Sequence, residues 1–335
     1  MKAPEAFDHA RKPTAYARGI AAARKALLPL LFIAVTCPSI YAASAAAAAS
    51  TGLAGIVADN AALEKVLDGF KLADGAAFSR ANYFILSDAP NGTIWKCTSV
   101  DGKVVQTVLR TSSGGARGLS FDRQGRLLAC ETGARRVTRT EKNGAITVLA
   151  ERFNGKRLNG PDDVAHAIDG STYFTDPGER PASKGEKREQ RHAGVYQVTR
   201  AGQLRMVVED FESPDGLTLS ADQRLLYVSD AGKNHIRVFS IKADGALANG
   251  KVFATMKSSA TGAAGGLETD LDGNVYATGP GGVWVFDQSG RHRGTLAVPE
   301  APTNVAWGDD YNTLYVTAGT SLYRIKLKVS GTRTY

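Results

Sequence analysis

Residues 162–178 read DDVAHAIDGSTYFTDPG. Apolar residues alternate with others, an Asp-Gly turn follows, and a run of Thr, Tyr and Phe ends at an acid close to a glycine. Alternation on either side of a tight turn is the pattern of two antiparallel strands. The stretch is one of six. DGAAFSRANYFILSDAPNG begins at Asp74, RGLSFDRQGRLLACETG at Arg117, DGLTLSADQRLLYVSDAG at Asp215, GGLETDLDGNVYATGPG at Gly265 and NVAWGDDYNTLYVTAG at Asn304. With Asp162 these starts are spaced by 43, 45, 53, 50 and 39 residues. A third strand follows each copy (GTIWKC, RRVTRT, GVYQVT, NHIRVF, GVWVFD, SLYRIK), and a fourth follows most of them, as in AITVLA, LRMVVE and GTLAV.

Four strands in a repeat of this length are the signature of propeller blades. The expected fold is therefore all-β: a six-bladed β-propeller with four strands per blade. The sixth copy ends near Leu327 without a fourth strand. LEKVLDGF (Leu63 to Phe70) lies before the first copy and is expected to supply it, closing the ring and removing exposed sheet edges.

The innermost strand of each blade lines a central channel, so the six starts form a ring at one mouth: Asp74, Arg117, Asp162, Asp215, Gly265 and Asn304. Asp163 is expected to turn away from the channel by strand alternation and to bond backbone N–H groups. Converging carboxylates raise one another's pKa unless a cation lies among them. Arg117 offsets one charge, and a divalent cation bound to Asp74, Asp162 and Asp215 would offset more. Oxygen ligands favour a hard ion, Ca²⁺ before Mg²⁺, Mn²⁺ or Zn²⁺. The alternative is a hydrated ring whose acids cap loop N–H groups.

The first 45 residues are set aside as an export signal. A basic lead (Lys2, Arg11, Lys12, Arg18, Arg24, Lys25) precedes the apolar run Ala26 to Val35 and an Ala43-Ser44-Ala45 cleavage pattern. The apolar run is short and carries Pro29, which argues against a retained membrane span. Residues 46–54 are read as an Ala-rich linker and 55–330 as the propeller, in a periplasmic or secreted protein. The whole chain has a net charge of +8, but much of that excess sits in the signal. No basic run with interleaved aromatics remains, which argues against nucleic acid. Cys97 and Cys130 form no C-x-x-C pair and are read as buried thiols. No G-x-S-x-G, H-E-x-x-H, P-loop or G-x-G-x-x-G motif occurs, and His166, His192, His235 and His292 are read as strand or surface residues. Nothing in the sequence fixes an oligomeric state.

RLNGPDDVAHAIDGSTYFTDP, SPDGLTLSADQRLLYVSD, GLETDLDGNVYATGPGGVWVFD and TNVAWGDDYNTLYVTAG resemble the gluconolactonase branch of the senescence-marker-protein, gluconolactonase and luciferin-regenerating-enzyme family. The resemblance runs from about residue 63 to 328. It implies a six-bladed propeller with one divalent ion in its channel, hydrolysing lactones. It also marks departures. Asp74 stands where the family has a Glu, Arg117 and Asp162 where it has Asn, Asp215 where it has a metal-binding Asn, and Gly265 where it has a metal-binding, catalytic Asp. The resulting expectation is a metal-dependent lactonase or esterase with a rebuilt site. In it Asp74, Asp215 and Asp162 are ligands, Asp162 and Asp215 are catalytic, and Arg117, Asp162 and Asn304 bind a lactone or ester. Phosphotriesters and aryl esters are alternative substrates. The alternative from another class is a non-catalytic propeller that binds a small molecule or a partner.

Overall fold

The computed structural model describes residues 51–100, 103–178 and 188–332 of the chain, so the expected signal lies outside the described residues. Six four-stranded antiparallel sheets follow one another in sequence order. Their innermost strands are Ala73–Ser79, Ala116–Phe121, Val164–His166, Pro214–Leu219, Leu267–Thr269 and Pro302–Gly308, numbered here as blades 1 to 6. Burial explains the order within a blade. Inner and second strands are covered on both faces, as in Leu127–Glu131 and Val275–Gly279, where every residue is buried. The outermost strands alternate, and Val105, Val108, Ile146 and Val148 stay exposed. Apolar clusters fill the wedges between blades. One joins blades 1 and 6 through Phe84 and Tyr315, whose rings stack at 4.6 Å.

Closure is as expected. Glu64–Leu67 pairs antiparallel with Ser321–Lys326 as the fourth strand of blade 6, with Glu64 opposite Arg324 in register and ion-paired to it at 2.8 Å. Val57 bridges to Leu327 just beyond this strand. Packing begins earlier, inside the stretch read as a linker: Thr51–Leu53 forms a 3-10 turn and Leu53 is fully buried. Cys97 and Cys130 are free, buried thiols on strands. Among the described residues no helix is long and apolar enough to cross a membrane.

The recurring acid at the end of the second strand has a structural task. Asp88 accepts the N–H groups of Lys71 and Leu72, Asp176 those of Asn159 and Gly160, and Asp230 those of Glu212, Ser213 and Gly232. Each carboxylate thus ties down the connection that leads into its own inner strand, satisfying N–H groups that no sheet ladder reaches. In blade 2 the position is Glu131, fully buried and bound to Arg110, Arg136 and Thr138.

Candidate active site

The ring of strand starts is real, with one position corrected. The inner strands of blades 1, 2, 4 and 6 open with a bulge and align from the pairs before it: Ala73 opposite Asp88, Ala116 opposite Glu131, Pro214 opposite Asp230 and Pro302 opposite Ala318. In blades 3 and 5 the same doubling lies just before the strand, where Asp162 and Asp163 both bond Thr175 and Gly265 and Gly266 both bond Thr278. Counting on from these, the ring is Asp74, Arg117, Asp162, Asp215, Gly265 and Thr303. Asn304 lies one residue further in. Copies 1, 2, 4 and 5 carry a glycine immediately after the ring residue (Gly75, Gly118, Gly216, Gly266), whereas blades 3 and 6 carry Asp163 and Asn304 there. The missing glycine in copy 6 is what displaced the count.

A circuit of hydroxyl groups holds this mouth. Ser87 donates to Arg117 O at 2.8 Å, Thr132 to Pro161 O at 2.6 Å, Thr175 to Asp215 O at 2.5 Å, Ser229 to Gly265 O at 2.8 Å, Thr278 to Thr303 O at 3.2 Å and Thr303 to Ala73 O at 2.6 Å. Every blade is therefore bonded to the next, at the backbone that carries the ring side chains. The sequence signal was present, as Ser or Thr directly precedes the second-strand acid in blades 1, 3 and 4, but it reads as ordinary strand composition.

At the mouth, Arg117 is the organising side chain. Its Nη1 donates to Asp74 Oδ2 at 3.1 Å, and its Nε lies 3.6 Å from Asp162 Oδ1. Asp74 also accepts the Gly75 N–H at 2.9 Å. Asp74 and Asp162 are buried, while Arg117 and Asp215 are half-buried. Burial disfavours the guanidinium charge, yet Asp162, Asp74 and Asp215 together raise the Arg117 pKa above its ordinary value. The three acids and the arginine thus share one electrostatic site. Gly265 sits beside them. A Cβ there would stand 3.6 Å from Asp215 Oδ1 but only 2.6 Å from Thr278 Oγ1, so a side chain at this position would crowd the hydroxyl circuit.

Beneath the ring the channel holds a cavity of about 70 Å³, lined by Asp163, Glu268, Asn304, Leu119 and Leu217 among others. Asp163 is thus not turned off the channel. It does bond backbone N–H groups as expected, but across blades: Val164 at 2.9 Å in its own strand and Leu217 at 3.1 Å in the next. Burial pushes its carboxyl up to about 8 against the pull of those two N–H groups. Glu268 lies below the mouth, and burial with Asp163 nearby raises it to about 8. Asn304 accepts the Val305 N–H at 2.7 Å and lines this deeper cavity rather than the ring.

The ring does not fit a divalent ion. Among the described residues no group of three or more His, Cys, Asp or Glu is placed to hold one. The gap between Asp74 and Asp162 is spanned by the Arg117 guanidinium. The fifth blade offers Gly265, with no ligand atom in its side chain, and the sixth offers only the neutral hydroxyl of Thr303.

Comparison with known proteins places this geometry. A gluconolactonase of Zymomonas mobilis is 25% identical over 294 residues, covering 80% of this chain and 82% of its own. The solved structure of a Xanthomonas campestris gluconolactonase superposes with a TM-score of 0.75 at 30% identity, covering 83% of this chain and 93% of that one. Regucalcin of Agrobacterium tumefaciens, described as a calcium-binding protein, shares the fold at a TM-score of 0.66 and 17% identity, over 81% and 95% of the two chains. Residues 72–320, from the first inner strand almost to the last blade's third, match the family described as SMP-30/Gluconolactonase/LRE-like region. Six blades, a channel mouth built from their inner-strand starts and this match agree: the chain belongs to the SMP-30/gluconolactonase/LRE-like family.

Proposed function

We propose that this protein hydrolyses lactones or related esters at the channel mouth. The observation that carries the reading is the grouping of Arg117 with Asp74, Asp162 and Asp215 at the mouth, next to Gly265. Lactonase relatives support the substrate class. Arg117 carries five N–H donors on a rigid fork, and its two carboxylate contacts use two of its three nitrogens. Its remaining donors face the task of holding the carbonyl oxygen as negative charge develops there. Asp215 is the general base. It is the more accessible acid beside Gly265, whereas Asp162 is engaged with Arg117 and positions it. Asp215 takes a proton from water as the water oxygen bonds to the acyl carbon. The ring C–O bond then breaks, the leaving oxygen takes that proton, and a hydroxy acid departs.

No step in this scheme passes through a metal, because the ring does not fit one. Asn304 moves from the substrate ring to the cavity below it, where it supports the mouth rather than touching the lactone. Export to the periplasm or beyond belongs to the same reading and rests on the basic lead and apolar run. Mass spectrometry of the mature chain should find residues up to about 45 removed, and an intact N-terminus in the cytosol would refute export.

The test of function is acid release from a panel of sugar and aliphatic lactones. Turnover by the wild-type protein, lost in Asp215→Asn, supports hydrolysis. Tight lactone binding without turnover would favour the non-catalytic propeller, which Gly265 in place of an acid makes the competing reading. Turnover confined to phosphotriesters or aryl esters would keep the site and change the substrate.

A further inference from the structure

We propose that Arg117 is the resident cation of the channel mouth, and that this protein therefore works without a bound metal ion. The guanidinium reaches a carboxylate on each neighbouring blade, Asp74 of blade 1 at 3.1 Å and Asp162 of blade 3 at 3.6 Å. A hard ion such as Ca²⁺ needs six to eight oxygens at about 2.3–2.6 Å. An ion bridging Asp74 and Asp162 would have to enter the gap that the guanidinium spans. Two like charges in that gap repel, and arginine cannot yield by losing its proton. The rest of the ring does not offer an alternative cradle. Gly265 has no side-chain oxygen, Thr303 offers one neutral hydroxyl, and Asp215 is left as the one further ring carboxylate, far short of six to eight oxygens.

The arrangement has a chemical consequence. A metal ion loads and leaves with its concentration, whereas a guanidinium is covalently present in every molecule. It offers directed N–H donors to a developing oxyanion, and it does not lower the pKa of a bound water as a metal does. Proton removal from the attacking water then falls wholly to a carboxylate, which is why the scheme above needs Asp215 as a base. The inference rests on the proposed hydrolysis only for that consequence; the identity of the cation stands on the geometry alone.

The experiment separates the two. Chelator-treated full-length protein is titrated calorimetrically with Ca²⁺, Mg²⁺, Mn²⁺ and Zn²⁺, and its lactone hydrolysis is measured with chelator present. Wild type should show no saturable one-to-one binding tighter than about 1 mM, the weak end of protein calcium sites. Arg117→Asn should open the gap between Asp74 and Asp162 and bind at least one of these ions at least tenfold more tightly. Hydrolysis by wild type should be unchanged by chelator within about twofold. Wild-type binding tighter than about 1 mM that disappears in Asp74→Asn would overturn the proposal, and so would wild-type hydrolysis lost in chelator or a folded Arg117→Asn variant with no gain. If Arg117→Asn does not fold, the wild-type titration decides alone. A protein that binds no metal, gains a site in Arg117→Asn and hydrolyses no lactone would leave the cation assigned and the hydrolase reading refuted.

Discussion

The ring at the channel mouth and the layer one residue deeper are adjacent positions of the same six strands, yet different forces set them. The ring reads Asp, Arg, Asp, Asp, Gly, Thr around the blades. The layer beneath reads Gly, Gly, Asp, Gly, Gly, Asn. The deeper layer is fixed by contact. A Cβ on Gly75 would fall onto the carbonyl oxygen of Arg117, one on Gly216 onto that of Gly265, and one on Gly266 onto the side chain of Asn304. Gly118 leaves the space that Asp163 fills. Ring side chains project into the mouth, where, apart from the crowding at Gly265, their mutual charges and hydrogen bonds constrain them. One layer is therefore readable as packing and the other as chemistry, and the two should fail in different ways.

The largest effect should come from Asp215→Asn, which loses roughly 10²- to 10⁴-fold in lactone hydrolysis, the usual range for a general base. Its thermal melt should stay near that of wild type. Gly75→Ala should show the reverse. Its φ of +53° and the oxygen of Arg117 leave no place for a methyl group, so denaturant titration should show a loss of about 3 kcal/mol or more. Ser229→Ala tests the hydroxyl circuit, which both accepts from Gly216 N and donates to Gly265 O. Leaving those buried groups unpaired should cost about 1–3 kcal/mol. If Ser229→Ala melts like wild type, the circuit is incidental to the mouth.

The last effect is read as a slope with pH and concerns the cavity acids. Asp163 and Glu268 are held near 8 by burial, well above the ordinary range of about 4 for free carboxyls. The folded chain then keeps protons that the unfolded chain has lost, so stability falls as pH rises from about 4 to about 8. Glu268→Gln removes one of these groups. Its stability relative to wild type should improve between about pH 5 and pH 8, as followed by urea unfolding at each pH. A flat difference would mean that Glu268 titrates normally in the folded protein.

The fold was legible because its signal is repeated six times. Period-two alternation, Asp-Gly turns and a missing last strand suffice to specify six blades and their closure by Glu64–Leu67. The site was legible only where the repeat was intact. Asn304 was placed one position too far out because blade 6 lacks the glycine that marks the layer in blades 1, 2, 4 and 5. Asp163 was sent away from the channel because simple alternation ignores the bulge at each strand start. The contact of Arg117 with both neighbouring acids joins residues 43 and 45 positions apart in sequence, and which charges meet depends on side-chain reach that spacing does not encode.

The most direct test of the account is a paired measurement on Asp215→Asn and wild type: initial rates of lactone hydrolysis with chelator present, and unfolding free energies of the same preparations. The account predicts wild-type turnover in chelator, a fall of at least about 100-fold in the variant, and unfolding free energies that agree within about 0.5 kcal/mol. Equal rates in the two proteins, or wild-type turnover that vanishes in chelator, would contradict it.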